Sequence, residues 1–225
     1  GMDTREVLRK LGPQTRAAFV THVLGYDALT RELLETLEAR KIPLIEDVCE
    51  SYGATHAGRK LGTYGLASNF SFYYAHHMST IEGGMVSARD PELYEPVRML
   101  RSHGMVREAV SEDLRRGYRE RHPDLNPDFI FAFPGYNMRS TELNAVIGRS
   151  QLKRLDTNNR VRSENLAQFL GGLDPERRYE LVVNVQGDLP VLEPAALRRV
   201  VGPIRLVGPH MGTLPSAAGG GEEGA

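Results

Sequence analysis

The chain has 225 residues, with 28 Lys and Arg balanced against 29 Asp and Glu, seven His and a single cysteine. A net charge of −1 gives no basic field for nucleic acid and no acidic field for a cationic partner. Cys49 alone excludes a disulfide framework and any cysteine metal cluster supplied by this chain, and it points to a reducing compartment. No apolar run approaches the roughly 20 residues of a membrane helix, and no signal peptide opens the chain. Gly1-Met2 reads as a cloning remnant, so the expectation is a cytoplasmic protein with neither a membrane nor a nucleic-acid partner.

Residues 17–24, Ala-Ala-Phe-Val-Thr-His-Val-Leu, are an apolar run closed by Gly25 and predict a buried strand. From Thr30 to Arg40, leucines at 33, 34 and 37 share a helical face with charges opposite. Ile42 to Ile45 predicts a second strand, ending in Glu46-Asp47, and Phe70 to Tyr74 a third. This alternation argues for an α/β fold whose parallel sheet has helices over its faces. Ligands of such sheets gather at the strands' carboxyl ends, where Asp47 and His76 fall.

Asp90 starts a helix over Pro91 to Arg101. Residues 105–127 are rich in charge and read as a long excursion or mobile arm. Ser140 to Leu155 predicts an amphipathic helix capped by Ser140, with Leu143, Val146, Ile147 and Leu152 on one face. A further helix runs from Arg160 to Leu170. Beyond Leu173 the character changes: Leu181 to Val185 predicts a short strand, and the sequence past about residue 215 predicts disorder. The expected division is 1–173 and 174–225.

Four separated segments carry candidate chemistry. Ile45-Glu46-Asp47-Val48-Cys49-Glu50-Ser51-Tyr52-Gly53-Ala54 ends a strand in carboxylates. Phe70-Ser71-Phe72-Tyr73-Tyr74-Ala75-His76-His77-Met78-Ser79-Thr80-Ile81-Glu82-Gly83-Gly84 joins an apolar strand to a polar turn and a Glu-Gly-Gly step. Gly135-Tyr136-Asn137-Met138-Arg139-Ser140-Thr141-Glu142 precedes Gln151-Leu152 and Leu155-Asp156. Taken alone, each residue has a plain structural reading. Asp47 could cap the next helix, Glu50 could be a solvated helix residue, and Ser71 could bond backbone. Arg139 and Glu142 could form an ion pair. His76 and His77, as strand neighbours, would point to opposite faces and not share a metal.

Together these segments resemble the DegT/DnrJ/EryC1/StrS family of sugar-nucleotide aminotransferases, which use pyridoxal phosphate. The likeness covers about residues 12 to 175 and follows the family order. It implies part of the large domain of PLP fold type I, a three-layer sandwich with a mainly parallel sheet and helices on both faces. In the family pattern the cofactor lysine stands where this chain has His76. Lys10, Lys41, Lys60 and Lys153 match no cofactor motif. Lysine binds the cofactor aldehyde covalently, whereas an imidazole moves protons near neutral pH.

The exchange is similar to the subgroup of sugar-nucleotide 3-dehydratases, which hold pyridoxamine phosphate without a tether. By resemblance Asp47 pairs with the pyridine nitrogen, Glu50 lies beside the ring or its hydroxyl, and Ser71 contacts the phosphate. His76 is then the catalytic base and acid, with no metal. Asn137 reaches the cofactor phosphate of a partner copy, which implies a homodimer. The implied substrate is a nucleoside-diphosphate 4-keto-6-deoxyhexose, dehydrated at C3, with L-glutamate as amino donor. The rival readings are a sugar aminotransferase and an inactive chain kept as a scaffold.

The chain departs from the family in two places. The N-terminal section with its glycine-rich phosphate turn is absent, so the chain reads as truncated. After Leu173 the segment Val182-Val183-Asn184-Val185-Gln186-Gly187-Asp188-Leu189-Pro190 resembles instead the cytidylyltransferases that activate 3-deoxy-manno-octulosonate.

Overall fold

The computed structural model describes residues 2–173. Contacts divide the chain into residues 1–162 and 163–225, and the fold that positions the site lies in the first of these. Its centre is a four-stranded sheet of order β1-β2-β5-β6, built from β1 (Ala18–Thr21), β2 (Leu44–Asp47), β5 (Ala67–Ser71) and β6 (Gly84–Ala88). The first three strands run parallel and β6 antiparallel. A small hairpin of β3 (Thr55–His56) and β4 (Arg59–Lys60) lies between β2 and β5. The expected mainly parallel α/β sheet is therefore present.

Two helices cover one face of the sheet. Helix α1 (Thr4–Lys10) starts at Asp3, whose carboxylate accepts from Arg5 N, and α2 (Arg31–Ala39) starts at Thr30, whose hydroxyl accepts from Leu33 N. Such caps satisfy amides that the first helical turn leaves open. Leu33 and Leu37 of α2 are buried against Val20, Leu44, Val48 and Leu61, and α1 adds Val7, Leu8 and Leu11.

Strand extents differ from the sequence expectation, for identifiable reasons. β1 ends at Thr21 because His22, fully buried, turns inward and its Nδ1 accepts from Ala28 N at 3.2 Å. Leu24 then takes a left-handed backbone with φ of 55°. β2 includes Glu46 and Asp47 because each carboxylate has donors waiting on its own side of the sheet. β5 begins at Ala67, opposite Ile45, and leaves the sheet after Ser71. Tyr73 to His77 therefore lie in a turn rather than on a strand, so strand alternation does not separate His76 from His77.

Of the two readings of residues 105–127, the structure shows the long excursion and not a mobile arm. Helix α3 (Pro91–Leu100) is capped by Asp90, and α4 (Glu112–Arg121) by Ser111. Met99, Val106, Ala109 and Ile130 form a second core, with Leu114 and Tyr118 packed against it. The Glu95 carboxylate fastens the start of the excursion by accepting from Val110 N and Ser111 N, both at 2.8 Å. Gly104, at φ +75°, lets the chain pass Phe133 closely, since a Cβ there would fall 1.9 Å from the Phe133 carbonyl oxygen.

The two helices expected over 140–170 are one helix, α5 (Glu142–Leu173). No Pro or Gly interrupts it between Gln151 and Leu170. Its start is held by Thr141 rather than Ser140: Thr141 N and Oγ1 both donate to Asn144 Oδ1. Its expected apolar face is largely open, with Leu143 at 76% and Val146 at 65% exposure, while Leu155 is buried. The predicted strand Leu181–Val185 lies outside the described residues.

Glu46 is the polar centre of this fold. It is fully buried, and it accepts from Gly62 N at 2.7 Å, Tyr64 N at 2.7 Å and Gly65 N at 2.6 Å. His22 Nε2 adds an electrostatic contact at 3.5 Å. Burial raises its proton affinity, but His22 and the three amides outweigh this and hold the carboxyl below its ordinary 4.5. Glu46→Gln would aim an NH₂ group at amide donors. Urea unfolding should show a loss of about 2–4 kcal/mol at neutral pH. Because the folded group has the lower pKa, its contribution is complete above pH 4.5 and fades as pH falls through the folded value. The gap between wild type and variant should narrow accordingly in acid.

Candidate active site

Register places three polar side chains in one row. Thr21 pairs with Asp47 across β1 and β2, and Asp47 with Asn69 across β2 and β5. Neighbours in parallel strands share a face, so the row points to the side opposite Glu46. Asn69 Nδ2 donates to Asp47 Oδ1 at 2.9 Å, Cys49 N donates to the same oxygen at 3.1 Å, and Thr21 Oγ1 donates to Oδ2 at 3.3 Å. Partial burial alone would raise the Asp47 pKa, but hydrogen bonds from Cys49, Asn69 and Thr21 prevail and hold it below its ordinary 3.8. Asp47 is therefore an anion at neutral pH.

Cys49 shows the other side of this arrangement. Burial first, then the adjacent Asp47 carboxylate, pushes its thiol up to about 12. Asn69 Nδ2 also lies 3.1 Å from its sulfur. The thiol acts as a neutral donor beside the carboxylate and not as a nucleophile.

Glu50 lies three residues beyond Asp47, where its Oε2 accepts from Leu24 N at 2.7 Å. This bond ties the loop after β2 to the left-handed residue after β1. Ser71 ends β5: its Oγ accepts from Tyr73 N at 3.3 Å, and its carbonyl accepts from Tyr52 OH at 2.9 Å. The turn that follows is closed at its base, with Phe72 N donating to Gly83 O and Thr80 N to Phe72 O. Asn144 of α5 braces it by donating to Thr80 O at 2.9 Å.

His76 and His77 sit half-buried in that turn, each with Nδ1 buried and without a hydrogen-bond partner among the described residues. The His76 ring meets Tyr73 edge-on at 5.5 Å, and His77 tilts against Tyr52 at 6.3 Å. Burial, followed by Arg162 and His76, lowers the His77 pKa, with Glu50 opposing. These mutual effects gather His76, His77 and Glu50 into one electrostatic neighbourhood. Asn137 stands apart from it. Asn137 is exposed, bridges to Ser102 and accepts from Arg139 Nε at 3.4 Å.

Thr21, Asn69 and Tyr52 were not singled out from sequence. The available signal was a polar residue inside an apolar strand pattern, with Asn69 two positions before Ser71 and so on the same face. Among the described residues no group of three His, Cys, Asp or Glu could hold a metal ion. No described helix is long and apolar enough to cross a membrane. The donor set suits a cofactor that offers a protonated ring nitrogen and a phosphate, since a fixed anion and a strand-end hydroxyl share one rim.

The sequence matches the DegT/DnrJ/EryC1/StrS aminotransferase family over residues 1–186. GDP-4-keto-6-deoxy-D-mannose 3-dehydratase of Escherichia coli O55:H7 is 34% identical over 169 residues, covering 75% of this chain and 43% of that protein. GDP-perosamine synthase of Caulobacter vibrioides is 31% identical over 155 residues, covering 69% and 37%. A solved structure of a GDP-4-keto-6-deoxymannose-3-dehydratase mutant with bound GDP-perosamine aligns with a TM-score of 0.68 at 27% identity, covering 89% and 55%. The E. coli dehydratase with bound hydrated PLP aligns equally well, at 0.68 and 27%. This chain thus spans less than half the length of the curated relatives it matches. The comparisons give no support to the cytidylyltransferase resemblance of Val182 to Pro190, a segment outside the described residues.

The coupling of Cys49 to Asp47 makes the thiol a reporter of the carboxylate. At pH 8 the folded chain should react with a maleimide at least about tenfold more slowly than the chain unfolded in urea. Asp47→Asn removes the anion that raises the thiol pKa, so alkylation of the folded variant should speed up, as followed by mass spectrometry.

Proposed function

The chain belongs to the DegT/DnrJ/EryC1/StrS aminotransferase family, and we propose that it carries the half-site of a sugar-nucleotide 3-dehydratase dependent on pyridoxamine phosphate. The substrate class is a nucleoside-diphosphate 4-keto-6-deoxyhexose, and the bond broken is C3–OH. One observation carries this reading: the position of the family's cofactor lysine is His76, on the turn leaving a strand row that holds an ionised Asp47. The likeness to two 3-dehydratases at 34% identity supports it.

When bound, pyridoxamine phosphate supplies a nucleophilic amine and an electron-accepting pyridine ring. Asp47 would hold the ring nitrogen with its negative charge and keep that nitrogen protonated. The Ser71 hydroxyl, whose oxygen already accepts from Tyr73 N, keeps its own proton for a phosphate oxygen. Glu50 spends one oxygen on Leu24 N and has the other for the ring hydroxyl. His76 accepts a proton at a ring nitrogen and gives one to the departing C3 oxygen, which leaves as water. An imidazole serves both steps because its ordinary pKa of about 6.5 lies close to the working pH. Histidine would leave the cofactor without a covalent tether, and L-glutamate would be the donor that restores its amine.

The exposed Asn137 has an amide nitrogen free of partners among the described residues. In this reading it serves the phosphate held by a second copy, making the working unit a homodimer.

Calorimetric titration tests the cofactor assignment. Pyridoxamine phosphate should bind saturably, Asp47→Asn and Ser71→Ala should each weaken binding about tenfold or more, and His76→Asn should bind normally yet release no 3-deoxy sugar. Absence of binding by the folded chain, or a borohydride-trapped pyridoxal adduct on one specific lysine, would overturn the reading in favour of a scaffold or an aminotransferase respectively.

The shared site has its own test. Asp47→Asn and Asn137→Ala chains should each bind poorly, but a mixture should regain about a quarter of the wild-type sites, those pairing an intact Asp47 with a partner's intact Asn137. No regain on mixing would mean that each chain uses its own asparagine.

A further inference from the structure

Helix α5 turns only a narrow stripe toward the rest of the fold. From Glu142 to Phe169 all of its residues are exposed except Asn144, Ile147, Gly148, Gln151, Leu155 and Asn159. Their spacing of three and four places them on one face. Such a face is ordinarily apolar, yet an asparagine stands at each end of this one. A polar group turned inward needs a partner, and both asparagines find theirs around the turn that carries His76 and His77.

Asn144 Nδ2 donates to Thr80 O at 2.9 Å and to Glu82 O at 3.3 Å, where that turn ends. One helical turn on, Gly148 lets Thr80 lie close against α5, since a Cβ there would fall 3.1 Å from Thr80 Cγ2. Glycine is disfavoured inside a helix, so its place here matches this close approach.

At the other end of the stripe, Asn159 Nδ2 donates to Tyr52 O at 2.7 Å. Gly53, at φ +84°, opens the way, because a Cβ on it would fall 2.8 Å from that nitrogen. Tyr52 is buried and carries the hold onward. Its OH donates to the carbonyl of Ser71, the last residue of β5, at 2.9 Å. Its ring packs on Phe70 at 5.6 Å, Phe72 at 6.2 Å and His77 at 6.3 Å. Burial, then Cys49, raises the Tyr52 pKa, so the phenol keeps its proton and remains a donor. The turn is therefore gripped at its exit by Asn144 and at its entry, through Tyr52, by Asn159.

We infer that Asn144 and Asn159 are positioning residues, which through one helix fix where the imidazoles of His76 and His77 stand relative to β2 and β5. The inference rests on the reading of His76 as the proton-moving group and adds the residues that hold it in place. Precision matters there, because a misplacement of about 1 Å can cost about 100-fold in rate.

Nuclear magnetic resonance of the whole chain, with isotope-labelled histidine ring nitrogens, tests this without relying on turnover. His76→Asn and His77→Asn assign the two signals. Asn159→Ala, Tyr52→Phe and Asn144→Ala should each shift or broaden them, while His122, at the end of α4, stays unmoved. Lys153→Ala, on the exposed side of α5, should leave every signal as in wild type. Circular dichroism melts show that each variant is folded at the temperature used. Tyr52→Phe removes a single hydroxyl, so it and Asn144→Ala decide the question should Asn159→Ala not fold. In turnover, Asn159→Ala should lower kcat about tenfold or more, with pyridoxamine phosphate affinity moved less than about threefold. Unchanged imidazole signals in folded Tyr52→Phe and Asn144→Ala, with only a lower melting temperature, would make α5 a structural brace and overturn the inference. Signals that move as expected in a chain that binds no pyridoxamine phosphate would instead overturn the cofactor reading, and the hold of α5 on the turn would stand.

Discussion

Adjacent residues on a strand point to opposite faces, and here that rule separates two neighbouring carboxylates with different tasks. Glu46 points into the protein, where three amides of residues 62–65 and the His22 ring surround it. Asp47 points the other way, into the row with Thr21 and Asn69. A buried carboxylate without donors would be strongly destabilising, so the loop joining β4 to β5 must close over Glu46 for β2 to remain in the sheet. That closure sets the register of β5 against β2. The register in turn brings Asn69 opposite Asp47. The chemistry on one face therefore depends on polar satisfaction on the other.

The site face concentrates a single negative charge and suppresses its competitors. Asp47 stays ionised because four donor groups outweigh its partial burial. Burial and the same charge keep the Cys49 thiol protonated and so not nucleophilic. His77 is disfavoured as a cation by burial and by Arg162. Among the described residues no group of three His, Cys, Asp or Glu converges there to hold a metal ion.

Features governed by local rules could be read from the sequence. The helix start at Asp90, the buried leucine face of α2 and the strand ending at Asp47 all follow from residue type and spacing. Features governed by register or distant packing could not. Thr21 and Asn69 are separated from Asp47 by 26 and 22 positions and meet it only once three strands align. The segment 105–127 reads as a long excursion or an arm because it is charged. Its order comes from four small or medium apolar residues, spread from Met99 to Ile130, that form a core only in three dimensions. The single long α5 was divided on the expectation of a break that no residue in it enforces.

The half-site is assembled from the ends of β1, β2 and β5 and the turn following β5, and exposed apolar residues lie both in that turn, at Tyr74 and Ile81, and on the flanks of the fold. β6 at one edge of the sheet presents Met85 and Val86, α5 presents Leu143, Val146 and Leu152, and β1 at the other edge presents Phe19. Open apolar edges of this kind favour association between chains. The row around Asp47 is centred on β2, and its bonds run inward from the edge strand β1 and from β5. Asn137, which is exposed, belongs to the outer group instead. The molecule is thus graded: an interior polar row that the chain completes with its own donors, and a periphery of exposed apolar and polar side chains.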